Sequence, residues 1–414
     1  MSSCVVIGSG AREHALAWAL AKSADVVVTP GNPGMAAHGF TCVDTPATEL
    51  EADLFVIGPD QLVVDGLADQ LRAQGKTVVG PGADGARLEG SKAYLKEFLA
   101  SAQVPTAAYG VFDDETEALN FLQTMTPPYV IKTDGLAAGK GVLVTPDLDE
   151  ATNDVREKLS GRAFGDAGRT VVIEEGLDGP ECSLMVLCDG GHVTTLVPSQ
   201  DFKRVGDGDV GANTGGMGAY APMGSLSSVQ IDDIMERIVT PTVQELQQRG
   251  IDYRGVLYAG IILTKSGPKI LEYNARFGDP ETQVLVPLYG DHLFDLLLSV
   301  GEGRLRTSSP VVSGAAVTVI LASSGYPQSP RRGDVITGLG DDGQLSQAVE
   351  GVTVFHAGTA IDDAGRFVTN GGRVLAVTGV GESVAEARRR AYEGAALITF
   401  EGRVMRSDIA LSEA

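Results

Sequence analysis

The chain has 414 residues, more than one comfortable core, so two to four domains are expected. A formal charge of −22 argues against a nucleic-acid surface, which needs clustered cations. It leaves room for small phosphorylated ligands, because a few Lys and Arg with a divalent cation reverse the field locally. Hydrophobic content of 43% and 21% charged residues fit a soluble globular protein. No run approaches the roughly 20 apolar residues that span a bilayer, so no membrane contact is expected.

The four cysteines, Cys4, Cys42, Cys182 and Cys188, form no C-x-x-C pair and are too sparse for a disulfide framework. Reduced thiols and a cytoplasmic location are expected. The five histidines lie far apart in sequence with no H-E-x-x-H, so no zinc site is expected. The opening Cys4–Ile7 run turns at once on Gly8, which suits a short buried strand and not a signal-peptide core.

From the N-terminus to residue 85, apolar strands alternate with helical patterns. Cys4–Ile7 precedes the turn Gly8-Ser9-Gly10 and a helix over 11–22, with Ala15, Leu16, Ala19 and Leu20 on one face. Val26–Val28, Leu54–Ile57 and Thr77–Val79 read as fully buried strands, so a Rossmann-like parallel sheet with crossover helices is expected over 1–88. Ligands of such sheets bind beyond the carboxyl ends of the strands. Those ends are Gly8-Ser9-Gly10, the 30–34 loop with Asn32, and Gly58-Pro59-Asp60. The opening is not a dinucleotide fingerprint: Glu13 stands where the third glycine belongs, and no acid follows the second strand. A helix N-terminus after Gly10 still favours an anion such as a sugar phosphate.

Ser91-Lys92 opens a helix running to about 100, which Pro105 stops, and 107–180 reads as a small α+β unit. Inside it, Tyr129–Ile131 and Val142–Val144 flank a loop holding Gly135, Gly139, Lys140 and Gly141, with Lys132 at the end of the first run. This suits a hairpin folding bare backbone over a polyanion, though a plain glycine-rich hairpin has the same pattern. It is no P-loop, since a strand follows. Val171–Ile173 then breaks into Glu174-Glu175-Gly176-Leu177. Backbone at such a hinge can bond an adenine edge, with Glu181 placed to reach ribose hydroxyls; a solvated strand end is the bland reading. A hairpin over 182–197, a helical span 229–249, and strands over 256–264 and 269–274 follow. After about 300, strands at 315–321, 352–356 and 373–378 close on a helix over 384–400.

In the 269–274 strand, Glu272 and Asn274 point the same way, roughly 7 Å apart. A carboxylate and a carboxamide at that spacing suit Mg²⁺, which takes one or two protein ligands beside nucleotide phosphates; a polar edge strand would look alike. Arg276, Asp279 and Glu281 follow at once, and a guanidinium there would grip carboxylate or phosphoryl oxygens. Asp201-Phe202-Lys203-Arg204 and Asn213-Thr214-Gly215-Gly216-Met217-Gly218 form a long polar loop region suited to substrate binding.

Taken in order, these segments resemble the ATP-grasp superfamily. GSGAREHA (8–15), EGSK (89–92), KTDGLAAGKG (132–141), AFGDAG (163–168), NTGGMGAY (213–220), EYNARFGDPETQ (272–283), VFHAG (354–358) and NGGRV (370–374) resemble the phosphoribosylamine–glycine ligase family within it. The resemblance implies an ATP-grasp domain over 89–300, with a mobile lid at about 107–180, and a C-terminal mixed α/β domain over 301–414. It implies that ATP, glycine and 5-phosphoribosylamine yield glycinamide ribonucleotide, ADP and phosphate through a glycyl phosphate, in purine biosynthesis, by a monomer. By position, Lys92, Lys132, Gly139, Lys140 and Gly141 would meet ATP phosphates; Glu174 or Glu175, Leu177 and Glu181 would hold adenine and ribose. Glu272 and Asn274 would bind Mg²⁺ or Mn²⁺. Arg276 and Asp279, with Asn213 and Thr214, would serve glycine and the phosphoryl group. Gly8, Gly10, Glu13, Asn32 and Asp60, with Lys203 nearby, would serve the sugar phosphate and amine, and Asp201 would bind substrate. Two positions depart from the family pattern, Asp60 for Glu and Phe202 for His.

Overall fold

The computed structural model describes residues 2–137, 141–162, 169–305 and 311–413. Gly139, Lys140 and the AFGDAG motif lie outside the described residues.

Strand Ser2–Gly8 runs at the centre of a parallel five-stranded sheet, between Ala24–Pro30 and Leu54–Ile57; Thr41–Cys42 and Val78–Val79 form the edges. Cys4–Ile7 and Leu54–Ile57 are buried throughout, as apolar runs in a two-sided sheet must be. The strand order reverses beside Ser2–Gly8, so the Gly8–Gly10 and Gly58–Asp60 loops border the crevice where such sheets take ligands.

A small sheet follows between Tyr109 and Glu175. Strands Tyr109–Phe112, Val171–Glu175, Tyr129–Thr133 and Val142–Thr145 form an antiparallel sheet in that spatial order. Helices Glu115–Leu122 and Leu148–Leu159 pack on it around a separate core that includes Leu122, Ile131, Val155 and Ile173. A second antiparallel sheet orders Val193–Thr195, Glu181–Asp189, Arg254–Thr264 and Gly267–Asn274.

The last sheet differs from the sequence expectation in its membership. Ala315–Ala322, Arg373–Gly381 and Val352–His356 are joined by Gly218–Ala221 and Gln200–Asp201 from the middle of the chain. The polar loop region is thus anchored at its two ends in the third sheet, while Arg204–Gly206 and Val210–Asn213 pair as a ribbon of their own, which the linear pattern cannot show. The expectation about apolar runs also needs correction. Thr282–Gly301 is a 20-residue helical stretch of mean hydropathy 1.3, half of it buried. Its apolar side, including Leu285, Phe294, Leu297 and Val300, packs into the protein's own core, which accounts for the hydropathy.

Three of the five histidines meet where the N-terminal sheet touches the third. His14 Nδ1 accepts the His356 N–H at 2.9 Å, so its Nε2 donates to His38 Nδ1, also at 2.9 Å. His356 Nε2 lies 2.8 Å from the Gly343 carbonyl. This wiring needs neutral rings. Burial draws all three downward, His14 furthest and His356 to about 4, with the Gly343 carbonyl opposing at His356 and Asp342 opposing at His38. The unfolded chain takes up protons that the native chain refuses, so stability is full above about pH 6.5 and falls toward pH 4. The apparent melting temperature should drop between about pH 7.5 and about pH 5, and His356→Gln should lose part of that drop. Equal acid sensitivity in both proteins would refute it.

Candidate functional site

The lysine strand and the carboxylate strand lie against each other. Lys132 ends the strand Tyr129–Thr133 and donates to the Leu271 carbonyl at 3.2 Å. Asp134 brings the second lysine in: its carbonyl accepts the Lys92 N–H at 3.1 Å and its carboxylate accepts the Ala93 N–H at 2.7 Å, pinning the start of helix Lys92–Ser101 to the hairpin. Ser91 caps that helix through the Tyr94 N–H.

Glu174 Oε1 lies 3.0 Å from Lys132 Nζ and 3.2 Å from Lys96 Nζ, with Glu174 and Lys96 fully buried and Lys132 nearly so. Lys96 escaped the sequence reading. It stands one turn after Lys92 on the same helix face, a spacing that is also ordinary for a solvated lysine. Burial lowers its ammonium to about 8, against the pull of Glu174. Glu175 faces the other way and braces two strands: it accepts the Ala108 N–H and pairs with Lys269, both at 3.0 Å. Leu177 follows, half-buried, after Gly176, which presses on Pro128.

Glu272 and Asn274 share a face of their strand, with Tyr273 buried between them. Glu272 makes no hydrogen bond or ion pair among the described residues, and neither does the Lys92 ammonium. Burial alone would raise Glu272, but Lys203, Lys132, Lys92 and Arg276 outweigh it and hold the carboxyl below its ordinary range. Burial lowers Lys92, with Glu272 the strongest opposing charge. Two charges of opposite sign thus stand together without direct partners. This fits a hard divalent cation on the carboxylate and phosphate on the ammonium. Among the described residues no group of three or more His, Cys, Asp or Glu forms a ready cage for a metal ion.

Lys203 pairs with Glu181 at 2.7 Å. Burial works against its charge, but Asp201, Glu181 and Glu272 raise its pKa well above normal. Burial pushes Asp201 upward, with Lys203 opposing. Thr214 donates to the Lys203 carbonyl at 2.9 Å and accepts the Gly216 N–H, so it shapes the loop, while the Asn213 side chain makes no hydrogen bond among the described residues. Phe202 lies under the Arg406 guanidinium and beside Tyr220, so its departure from His is a packing position.

Arg276 donates to Glu89 at 2.8 Å and to Asn274 Oδ1 at 3.1 Å, and its buried Nε has no partner among the described residues. Glu89, which also accepts the Ala275 N–H at 2.8 Å, received no role from the sequence. Burial would raise Asp279, yet Arg373 first and then Arg12 bring it below the ordinary range. Gln283 donates to Asp279 Oδ1 at 2.7 Å while its own buried Oε1 has no partner among the described residues. A donor and an acceptor are thus left open along 276–283.

The N-terminal loops border this segment, since Arg12 reaches the Phe277 carbonyl at 3.3 Å. Glu13 turns inward and accepts the Gly10 N–H at 2.7 Å, leaving its side chain 2% exposed. Methyl groups at Gly8, Gly10 or Gly58 would collide with its carboxylate. Asn32 caps Pro33–Ala37 through the Met35 N–H and donates to the Ser9 and His356 carbonyls, all at 2.9 Å. The side chains of Glu13 and Asn32 thus also hold these loops in shape. Asp60 is half-buried at the start of helix Asp60–Val64. A cavity of about 710 Å³ lined by Ser2, Asp53, Lys76 and Thr77 opens at the opposite, amino ends of the strands and contains none of these groups.

A glycine hairpin lysine, a hinge carboxylate and a Glu-x-Asn strand around one cleft define an ATP-grasp ligase. Models of the phosphoribosylglycinamide synthetase N domain, ATP-grasp (A) domain and C domain match residues 2–89, 90–282 and 316–412. A phosphoribosylamine–glycine ligase of Escherichia coli O6:H1 is 46% identical over 98% of this chain and 97% of its own length. One from Caulobacter vibrioides is 44% identical with the same coverage. The crystal structure of phosphoribosylamine–glycine ligase from Thermotoga maritima superposes with a TM-score of 0.86 at 37% identity, over 99% of this chain and 100% of that one. A biotin carboxylase domain from Hydrogenobacter thermophilus, at 17% identity and a TM-score of 0.71, shares the fold. The chain belongs to the phosphoribosylamine–glycine ligase family.

Proposed function

We propose that the chain joins glycine to 5-phosphoribosylamine with ATP, giving glycinamide ribonucleotide, ADP and phosphate in purine biosynthesis. The observation that carries this reading is the unpaired Lys92 and Glu272 beside Lys132, in a member of this family. A carboxylate is inert to an amine until one oxygen becomes a leaving group. Glycine carboxylate attacks the γ-phosphoryl group, and the sugar amine then displaces phosphate from the glycyl phosphate. Positioning and charge neutralisation are nearly all the protein must provide.

Lys92 and Lys132 hold phosphate oxygens under the 135–141 loop. The Glu174 region, Leu177 backbone and Glu181 take adenine and ribose. Glu272 and Asn274 would hold Mg²⁺ or Mn²⁺, which when bound neutralises the phosphates and orients them in line. Arg276, Asp279 and Asn213 handle glycine and the phosphoryl group, Arg276 offering its free Nε. The backbone of Gly8–Gly10, with Asp60 nearby, takes the sugar phosphate. We place the domains at 1–88, 89–300 and 301–414, with a lid at about 107–180, acting as a cytoplasmic monomer. A direct assay for glycinamide ribonucleotide with ATP, glycine and phosphoribosylamine tests this. ADP release that needs both substrates is expected; glycine-independent turnover would overturn it.

A further inference from the structure

Three motifs far apart in sequence tie into one knot. Arg373, on the third sheet, donates to Asp279 Oδ2 at 2.7 Å and to the Asp279 carbonyl at 2.8 Å, and it also donates to the Gly215 carbonyl. Tyr326, from the same part of the chain, accepts the Gly215 N–H at 3.0 Å. The fit is close: a methyl on Gly215 would lie 3.1 Å from the guanidinium carbon, and one on Gly216, whose φ is +104°, would strike Pro280. A methyl on Gly372 would strike the Tyr326 ring. The glycines of NTGGMG and NGGRV are thus the surfaces through which loops 213–216 and 276–281 are seated.

We propose that Arg373, supported by Tyr326, is the positioning residue that sets Asp279 and the Gly215–Gly216 backbone for the amino-acid substrate, so that the C-terminal region is part of the glycine site. A planar fork with several donors can hold a carboxylate and two carbonyls at once; a lysine ammonium cannot match that geometry. Side chains of both partners are only 20% exposed, so water screens the pair weakly. Among the described residues Arg373 bonds Gly215, Gly216 and Asp279 and none of the lysines, so nucleotide binding should be separable from it.

The proposal rests on the ligase reading, and the test separates the two. In Arg373→Ala, the glycine KM should rise, or kcat/KM for glycine fall, by about 100-fold, the scale of an ångström-level misplacement. ATP affinity by titration should stay within about twofold, and amide exchange at Gly215 and Gly216 should quicken about tenfold or more. Arg373→Lys should recover only part of the loss. Tyr326→Phe, which removes one acceptor, should move the same glycine parameters by about three- to tenfold. Unchanged glycine kinetics, unchanged exchange, or equal weakening of ATP and glycine would each overturn the proposal. If wild type gives no glycine-dependent product, the ligase reading falls, while exchange and ATP titration still decide whether Arg373 seats these loops.

Discussion

Glu272→Ala should lower turnover by about 10³-fold while leaving the fold intact, because it removes the one carboxylate placed to carry the cation. The native carboxyl stays ionised through Lys203, Lys132, Lys92 and Arg276, against burial. Deleting it leaves those cations facing one another, so ATP without metal should bind as well as before, or better, since its phosphates take the place of the lost charge. Mg·ATP should lose the advantage that Mg²⁺ normally confers. Glu272→Gln preserves shape and separates charge from bulk; it should behave like the alanine variant. ATP titrations with and without Mg²⁺ provide a readout independent of activity. A variant that turns over normally at low Mg²⁺, or whose ATP affinity still responds fully to Mg²⁺, would refute the assignment.

Much of this cleft was legible before any coordinates. The glycine hairpin, its lysine and the Glu-x-Asn strand announce themselves locally, because their chemistry depends on spacing within one or two strands. Lys132 and Leu271 then meet as that pairing requires. What escaped reading depends on contacts between distant elements. Lys96 looks like any helical surface lysine until Glu174 is seen beside it. Arg373 sits in a motif with no chemistry of its own, and its role appears only where the third sheet meets loop 276–281. The bonds that Glu13 and Asn32 make within their own loops escape the sequence for a related reason. Their loops are rich in glycine, which suggests room for a ligand, but part of that room is filled by the Glu13 carboxylate and by Asn32 capping.

Glu174→Gln should destabilise the protein by about 3 kcal/mol near neutral pH, the usual scale for stranding buried charge. Lys96 and Lys132 would each keep one acceptor, Thr106 Oγ1 at 2.8 Å and the Leu271 carbonyl at 3.2 Å, but would lose their shared anion. The effect should also depend on pH, with a sign set by Lys96. Its ammonium already titrates at about 8 with Glu174 present, and lower without it. The variant can therefore escape part of the cost by shedding that proton. Shedding becomes harder as pH falls below 8, by about 1.4 kcal/mol for each pH unit. The gap between wild type and variant should accordingly widen from about pH 9 to about pH 6, followed by urea midpoints at each pH. Saturating ATP should narrow it, because the triphosphate supplies negative charge to Lys132. A gap that is constant across this range would mean that Lys96 keeps its proton throughout, and that the buried triad does not work as described.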